Sequence, residues 1–261
     1  MTITSGSGTA HGVLDGRVVL VTGGNGGIGL SMAKGCAAAG ADLIIWGTND
    51  AKLGTASEVL CELTDRVVVQ RVDVSNEEQV NEAFAEAVAQ MGKVDSVFAN
   101  AGVGAGSPFV DETLENWRRV QSINLDGTFL TFRAAARHMI ERGGGGALVG
   151  IASVAAVLGA PRGQAYAVSK AGIVGLCRGL SVELGPHGIR CNALLPGFTE
   201  TELTTELRNI PGFVERTTAR TPAGRWGTTD DYTSIAVFLA DPTQRYQTGS
   251  SIVLDGGYSI A

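Results

Sequence analysis

A phenol and an ammonium stand four residues apart in Gln164-Ala165-Tyr166-Ala167-Val168-Ser169-Lys170-Ala171-Gly172. On a helix that spacing puts both on one face, with Cβ atoms about 5–6 Å apart. A cation at about 5 Å, through an effective dielectric near 20, is worth roughly 3 kcal/mol, enough to draw a phenol from a pKa of about 10 toward about 8. Tyr166 is therefore a candidate general acid/base and Lys170 its electrostatic partner. The stripe continues as Ile173, Cys177, Leu180 and Leu184 in steps of three and four, so an amphipathic helix carries the pair at its N-terminal end. A Tyr and a Lys that merely snorkel from such a helix are the blander alternative. The rest of the chain decides between them.

A second chemical stretch lies near the start. The apolar run Arg17-Val-Val-Leu-Val-Thr22 reads as a buried strand, ends in Gly23-Gly24-Asn25-Gly26-Gly27-Ile28-Gly29, and passes into a helical pattern from Leu30 to Ala39 closed by Gly40. Glycines between strand and helix let backbone N–H groups and a helix N-terminus approach a pyrophosphate with no Cβ in the way. The turn fits two registers, Gly24-x-Gly26-x-x-Gly29 and Thr22-Gly23-x-x-x-Gly27-x-Gly29.

These sites need a scaffold, and the alternation of patterns supplies one. Strands are expected at Asp42–Trp46, Arg66–Val74, Val94–Ala99, Ala147–Ala152, Gly188–Leu195 and Ser251–Leu254. Helices are expected from Asp50 to about Leu63, Asn76 to Met91, Asp111 to about Arg142, around Tyr166, and near Asp230 to Leu239. Strands separated by helices imply an α/β fold, a doubly wound, mostly parallel sheet covered on both faces. Ser153 falls at the C-terminal end of a strand, where such sheets put ligands. Residues 1 to about 13 read as a flexible tail, and 198–225, with scattered apolar residues and no strand, as a helical flap over the site.

Composition narrows the function. With 261 residues and 44% hydrophobic content, the chain can bury a large core as one domain. A net charge of −6 and the lack of a basic cluster argue against nucleic acid and anionic membrane as partners. No secretory signal and no run of ~18 apolar residues is present. Cys36, Cys61, Cys177 and Cys191 are widely spaced and read as reduced thiols of a cytoplasmic protein, and His11, His138 and His187 show no metal pattern.

With the glycine turn, Asp73-Val74, Asn100-Ala101-Gly102, Asn124, Ser153, Tyr166-x-x-x-Lys170 and Pro196-Gly197 in that order, the chain resembles the short-chain dehydrogenase/reductase family from about Leu14 to the C-terminus. The resemblance implies a Rossmann-like, seven-stranded catalytic domain over 14–261 that interconverts a secondary alcohol and a ketone with NAD(P). In it, Tyr166 would exchange the proton and Ser153 would hydrogen-bond the substrate oxygen. Lys170 would grip the nicotinamide ribose and lower the Tyr166 pKa, and Asn124 would hold a water passing protons on from Lys170. Gly23, Asn25, Gly27, Ile28 and Gly29 would cradle the pyrophosphate. Thr48 and Asn49 would meet the adenosine ribose, and Asp73 and Val74 the adenine. Asn100, Ala101, Gly102, Pro196, Gly197, Thr199 and Thr201 would complete the cofactor site, Thr201 bonding the carboxamide. Blander roles stand beside these: Asp73 and Asp50 as helix caps, Asn100 as a strand terminator, Asn124 as a locally bonded helix residue.

Two departures bear on the cofactor. NADP-using members carry a basic residue just before the second motif glycine or just after the second strand, where this chain has Gly26 and Thr48; NAD-using members carry an acid ending that strand, where it has Gly47. With no cation in view to meet a 2′-phosphate, the reading favours NAD without excluding NADP, because an unpaired dianion costs more than an ungripped hydroxyl. A neutral or largely apolar small-molecule substrate is expected, since Val103–Phe109, Val154–Arg162 and the flap carry little fixed charge. Gly172, Gly175 and Gly179 form a small-residue stripe, and with the resemblance they suggest a homotetramer. The rival functions are a 3-oxoacyl-carrier-protein reductase, with Arg133, Arg137 or Arg178 meeting an acidic carrier, and a catalytically silent dinucleotide-binding scaffold or sensor.

Overall fold

The computed structural model describes residues 12–104, 106–159 and 161–261. Most of the expected tail, and positions 105 and 160 of the expected substrate walls, lie outside the described residues. Strands β1 (Val18–Thr22), β2 (Asp42–Gly47), β3 (Val67–Arg71), β4 (Ser96–Ala99), β5 (Gly146–Ile151), β6 (Ile189–Pro196) and β7 (Ser251–Leu254) form one sheet in the order β3-β2-β1-β4-β5-β6-β7. Every pairing is parallel. The order reverses between β1 and β4, which opens a crevice at their C-terminal ends.

Alternation along the strands splits the core in two. Val18 and Leu20 face the layer holding Val80, Phe84, Phe132, Ile173 and Cys177, from α3 (Glu77–Met91), α5 (Gly127–Arg142) and α6 (Gln164–Glu183). Val19 and Val21 face the opposite layer with Met32, Cys36, Leu53, Ala236 and Leu239, from α1 (Gly27–Ala38), α2 (Asp50–Cys61) and α9 (Thr233–Ala240). Burial on both faces is why these strands read as continuous apolar runs.

Three expectations are corrected. The long helical stretch before β5 is broken: α4 (Leu114–Gln121) runs into one π-helical turn, Ser122–Asp126, before α5 begins at Gly127. Asn124 sits in that turn, a distortion that often marks a functional site and that hydrophobic periodicity does not reveal. Neither Asp50 nor Asp73 is a helix cap: Asn49 Oδ1 accepts from Lys52 N–H to start α2, and Asn76 Oδ1 from Gln79 N–H to start α3. Strand β6 also runs through Pro196, which is its last residue, where a missing N–H costs no interior ladder bond.

The 198–225 segment holds a short turn of 3-10 helix (Glu202–Thr204), α7 (Thr205–Arg208) and α8 (Phe213–Arg220). Phe198 stacks on Trp226 at 5.1 Å and meets Phe213 and Tyr258 edge-on, while Lys52 of α2 pairs with Glu202. The segment is thus tied down by an aromatic cluster at its base and an ion pair at its front.

Candidate active site

The C-terminal ends of β1, β4, β5 and β6 meet around a cavity of about 100 Å³. It is lined by Ile28, Asn100, Gly102, Ser153, Tyr166, Lys170, Pro196, Gly197, Thr199 and Thr201, with Leu203 and Thr204 from the segment above. Residues far apart in the chain are gathered here because a parallel sheet puts all its strand C-termini on one edge.

Ser153 follows β5, and its Oγ accepts from Ala155 N–H at 3.1 Å, which fixes the hydroxyl at the start of a short 3-10 turn. Tyr166 enters from the first turn of α6. Lys170 lies one turn on, its Nζ 5.4 Å from the Tyr166 ring centre and donating to Ile151 O at 2.7 Å. Burial raises the Tyr166 phenol above its ordinary value, and hydrogen bonding with Ser153 lowers it in part. Burial also pulls Lys170 down to about 8. The expected acidification of Tyr166 by the lysine is therefore not met in the free chain, because removing both groups from water opposes either charge.

Asn124 is buried with its amide engaged: Oδ1 accepts from Val103 N–H at 2.8 Å, and Nδ2 donates to Val103 O and Ser169 Oγ, each at 3.0 Å. Ser169 Oγ in turn donates to Tyr166 O at 2.7 Å, so Ser169 links the π-turn to the Tyr166 helix. Ser169 was not a candidate in the sequence, and its position one residue before Lys170 gives no sign of the link. The main-chain carbonyl of Asn124 accepts from Thr128 Oγ1 at 2.7 Å.

The glycine turn suits a pyrophosphate. Helix α1 begins with no side-chain cap and no acid in its first turn, leaving its N-terminal N–H groups for an anion. A Cβ on Gly29 would lie 2.3 Å from Gly23 O, whereas one on Gly26 would meet nothing within 4 Å. The turn is braced by Asn100 Nδ2, which donates to Thr22 O and Gly23 O at 3.1 Å, and by Thr22 Oγ1, which accepts from Asn100 N–H and Ala101 N–H. Asn100 is thus a brace between β1 and β4, and Thr22, outside the candidate set, is its partner.

The remaining candidates divide. Gly102 adjoins both Asn124 and Lys170, Thr201 lies over Gly27, and Asn25 rests against Gly47. Asp73 is exposed and accepts from Ser75 N–H and Oγ–H, and Thr48 and Asn49 are exposed at the end of β2. Val74 turns its side chain into the core against Gly127. Thr199 is buried, with its hydroxyl bonded to Gly197 O and Tyr232 Oη, so that hydroxyl is taken up by the fold. No cluster of three or more metal-binding side chains occurs among the described residues.

Ser153, Tyr166 and Lys170 converge on a crevice floored by a glycine turn, and the chain matches known proteins over nearly its full length. The protein belongs to the short-chain dehydrogenase/reductase family. The family model described as enoyl-(acyl carrier protein) reductase matches residues 23–259. An L-rhamnose 1-dehydrogenase (NAD(P)(+)) of Azotobacter vinelandii is 36% identical over 248 residues, 94% of this chain and 97% of that one. A 3-oxoacyl-[acyl-carrier-protein] reductase of Chlamydia pneumoniae is 34% identical over 94% and 97% of the two chains. The solved gluconate 5-dehydrogenase of Burkholderia cenocepacia, in complex with NADP and tartrate, superimposes with a TM-score of 0.90 at 36% identity, covering 95% of this chain and 97% of the other. This short-chain dehydrogenase/reductase is an NAD(P)-dependent oxidoreductase acting on CH–OH groups, interconverting a secondary alcohol and a ketone.

Proposed function

We propose that Tyr166 is the general acid/base of this reaction, with Ser153 and Lys170 serving it and a small, neutral, hydroxyl-bearing compound as substrate. The observation that carries the reading is the shared cavity of Tyr166, Ser153 and Lys170 beside the glycine turn. When bound, the nicotinamide supplies hydride acceptance or donation. Ser153 Oγ–H donates to the substrate oxygen and holds it against Tyr166, stabilising charge as it develops away from water. Tyr166 Oη gives its proton to that oxygen in reduction and takes it in oxidation. Lys170, as a cation, favours the phenolate and offers Nζ–H donors to the nicotinamide ribose. A water held at Asn124 would carry the proton on from Lys170. The residues suited to the dinucleotide are Gly23, Asn25, Gly27, Ile28 and Gly29 at the pyrophosphate, and Thr48, Asn49 and Asp73 at the adenosine, with NAD accepted. Gly102, Pro196, Gly197 and Thr201 serve the nicotinamide end.

The substrate reading is supported by the cavity's size and by hydroxyls or short apolar groups from Ser153, Thr204 and Leu203 without a charged wall other than Lys170. The relative named for L-rhamnose agrees with a neutral polyhydroxylated compound. Residues 198–225 form the flap over it. The catalytic unit is 14–261, and it works as a homotetramer in the cytoplasm. Gly175 and Gly179 of α6 support the assembly, since a Cβ on either meets nothing within 4 Å and another helix has room to approach; Gly172 packs instead on Leu125 of the same chain. Free thiols at Cys36, Cys61, Cys177 and Cys191 support a reducing compartment, and no helix among the described residues is long and apolar enough to cross a membrane.

The test follows nicotinamide absorbance over a panel of neutral sugars, polyols, sugar phosphates and acyl thioesters. Turnover of a neutral polyhydroxylated alcohol is the expected result. Preference for phosphorylated compounds or acyl thioesters overturns the substrate reading, and full turnover by Tyr166→Phe overturns the mechanism.

A further inference from the structure

The crevice end that suits the adenosine ribose carries a cation that the sequence motifs gave no reason to expect. In-register pairing puts Arg71, the last residue of β3, beside Gly47, the last residue of β2. Arg71 Nε donates to Thr48 O at 3.3 Å, which draws the side chain over the loop leaving β2. Its two terminal nitrogens have no hydrogen-bond partner among the described residues, and its one ion pair is loose, 3.8 Å from Nε to Asp50 Oδ2. We propose that Arg71 receives the 2′-phosphate of NADP, so that the protein takes NADP as well as NAD. The inference rests on dinucleotide binding at the glycine turn.

Three further facts support it. The end of β2 offers no acid to repel a phosphate, and a Cβ on Gly47 would lie 2.5 Å from Asn25 Nδ2. A ribose-gripping carboxylate is therefore excluded there while Asn25 keeps its place. The Arg71 side chain is 70% exposed, so pairing it with a dianion entails little desolvation, and a guanidinium fork matches two phosphate oxygens at once. Finally, Thr48 and Asn49 immediately precede α2, whose N-terminal N–H groups favour negative charge nearby. Asp50 opposes the phosphate, but its carboxylate is 78% exposed, where solvent screens it, and its ion pair with Arg71 is long.

The experiment titrates NADPH and NADH separately, by nucleotide fluorescence and without substrate, into the wild-type protein and three variants at low and high salt. Wild type is expected to bind both. Arg71→Gln should weaken NADPH roughly ten- to hundredfold, the usual loss for a charge-assisted pair, and NADH less than about threefold. The same change should flatten the salt dependence of NADPH binding. Arg71→Lys should recover part of the affinity, keeping the charge without the fork, and Asp50→Asn should tighten NADPH alone. Equal weakening of both nucleotides by Arg71→Gln, or wild-type binding of NADH without NADPH, overturns the proposal and leaves the dinucleotide site standing. Binding of neither nucleotide by the wild type overturns both.

Discussion

Lys170 at the C-terminal edge of the sheet and Asp95 at the N-terminal edge are each about 4% exposed, yet burial ends differently for the two charges. Asp95, just before β4, accepts from Val18 N–H at 2.9 Å and pairs with Lys93, Arg142 and Arg17 at 3.0, 3.1 and 3.3 Å. Burial alone would raise its carboxyl, but the Val18 N–H and the Lys93 and Arg142 charges together hold it below its usual value. Among the described residues Lys170 Nζ meets one carbonyl and no carboxylate, and burial pulls it down to about 8. One edge satisfies its charge and stabilises the fold. The other keeps its cation unbalanced, in the cavity that also holds Tyr166 and Ser153.

The contrast can be broken in several ways. Tyr166→Phe should cut turnover by about 10²- to 10⁴-fold while NADH binding survives, the range for loss of a general acid/base; a loss of binding instead would mean that the hydroxyl supports the fold. Asp95→Ala should lower unfolding free energy by about 1–3 kcal/mol, because it leaves the buried Val18 N–H without its acceptor and three partly exposed cations without their shared partner. Urea titration would read this, and a change under about 1 kcal/mol would remove the contrast.

Lys170→Met should abolish turnover without lowering stability at neutral pH. A lysine drawn from 10.5 to about 8 disfavours the folded chain by about 3 kcal/mol below pH 8. The sign follows from proton binding: the unfolded chain holds this proton across the window from about 8 to 10.5, so wild-type stability relative to Lys170→Met should rise with pH there. A wild type that is the more stable of the two at pH 7 would show the cation to be structural. Asp95 behaves oppositely, with stability that is full above the usual carboxylate range and lost as acid reaches its lowered pKa.

The smallest effect concerns the phenol itself. With Tyr166 raised in the free protein, phenolate is scarce at neutral pH, so kcat/KM for alcohol oxidation should climb by up to about tenfold per pH unit above 7. A flat profile for oxidation would show that proton removal does not limit the reaction.

Much of the site was legible because its residues come in short local patterns. Tyr166 and Lys170 are set by one helical turn, and the glycine turn by its place between an apolar run and a helix. The strands were legible from their apolar runs, and the parallel sheet from their alternation with helices. The π-turn at Asn124 was not legible, since one extra residue in a turn leaves the apolar spacing almost unchanged. The Thr22–Asn100 and Ser169–Asn124 links were hidden because each joins residues at least 45 positions apart.

The sequence by itself determined the pairing of Tyr166 with Lys170, the glycine turn between strand and helix, and the layered fold, because helix and strand periods act over a few residues and burial enforces them. Only the tertiary structure decided which charges are balanced and which are not. Arg71 and Gly47 are 24 positions apart and belong to no common motif, yet parallel register sets them side by side at the C-terminal edge of the sheet. Asp95 likewise draws Arg17 and Arg142 from opposite directions along the chain. Electrostatic energy depends on distance through space and on exclusion of water, and neither exists until the sheet has formed.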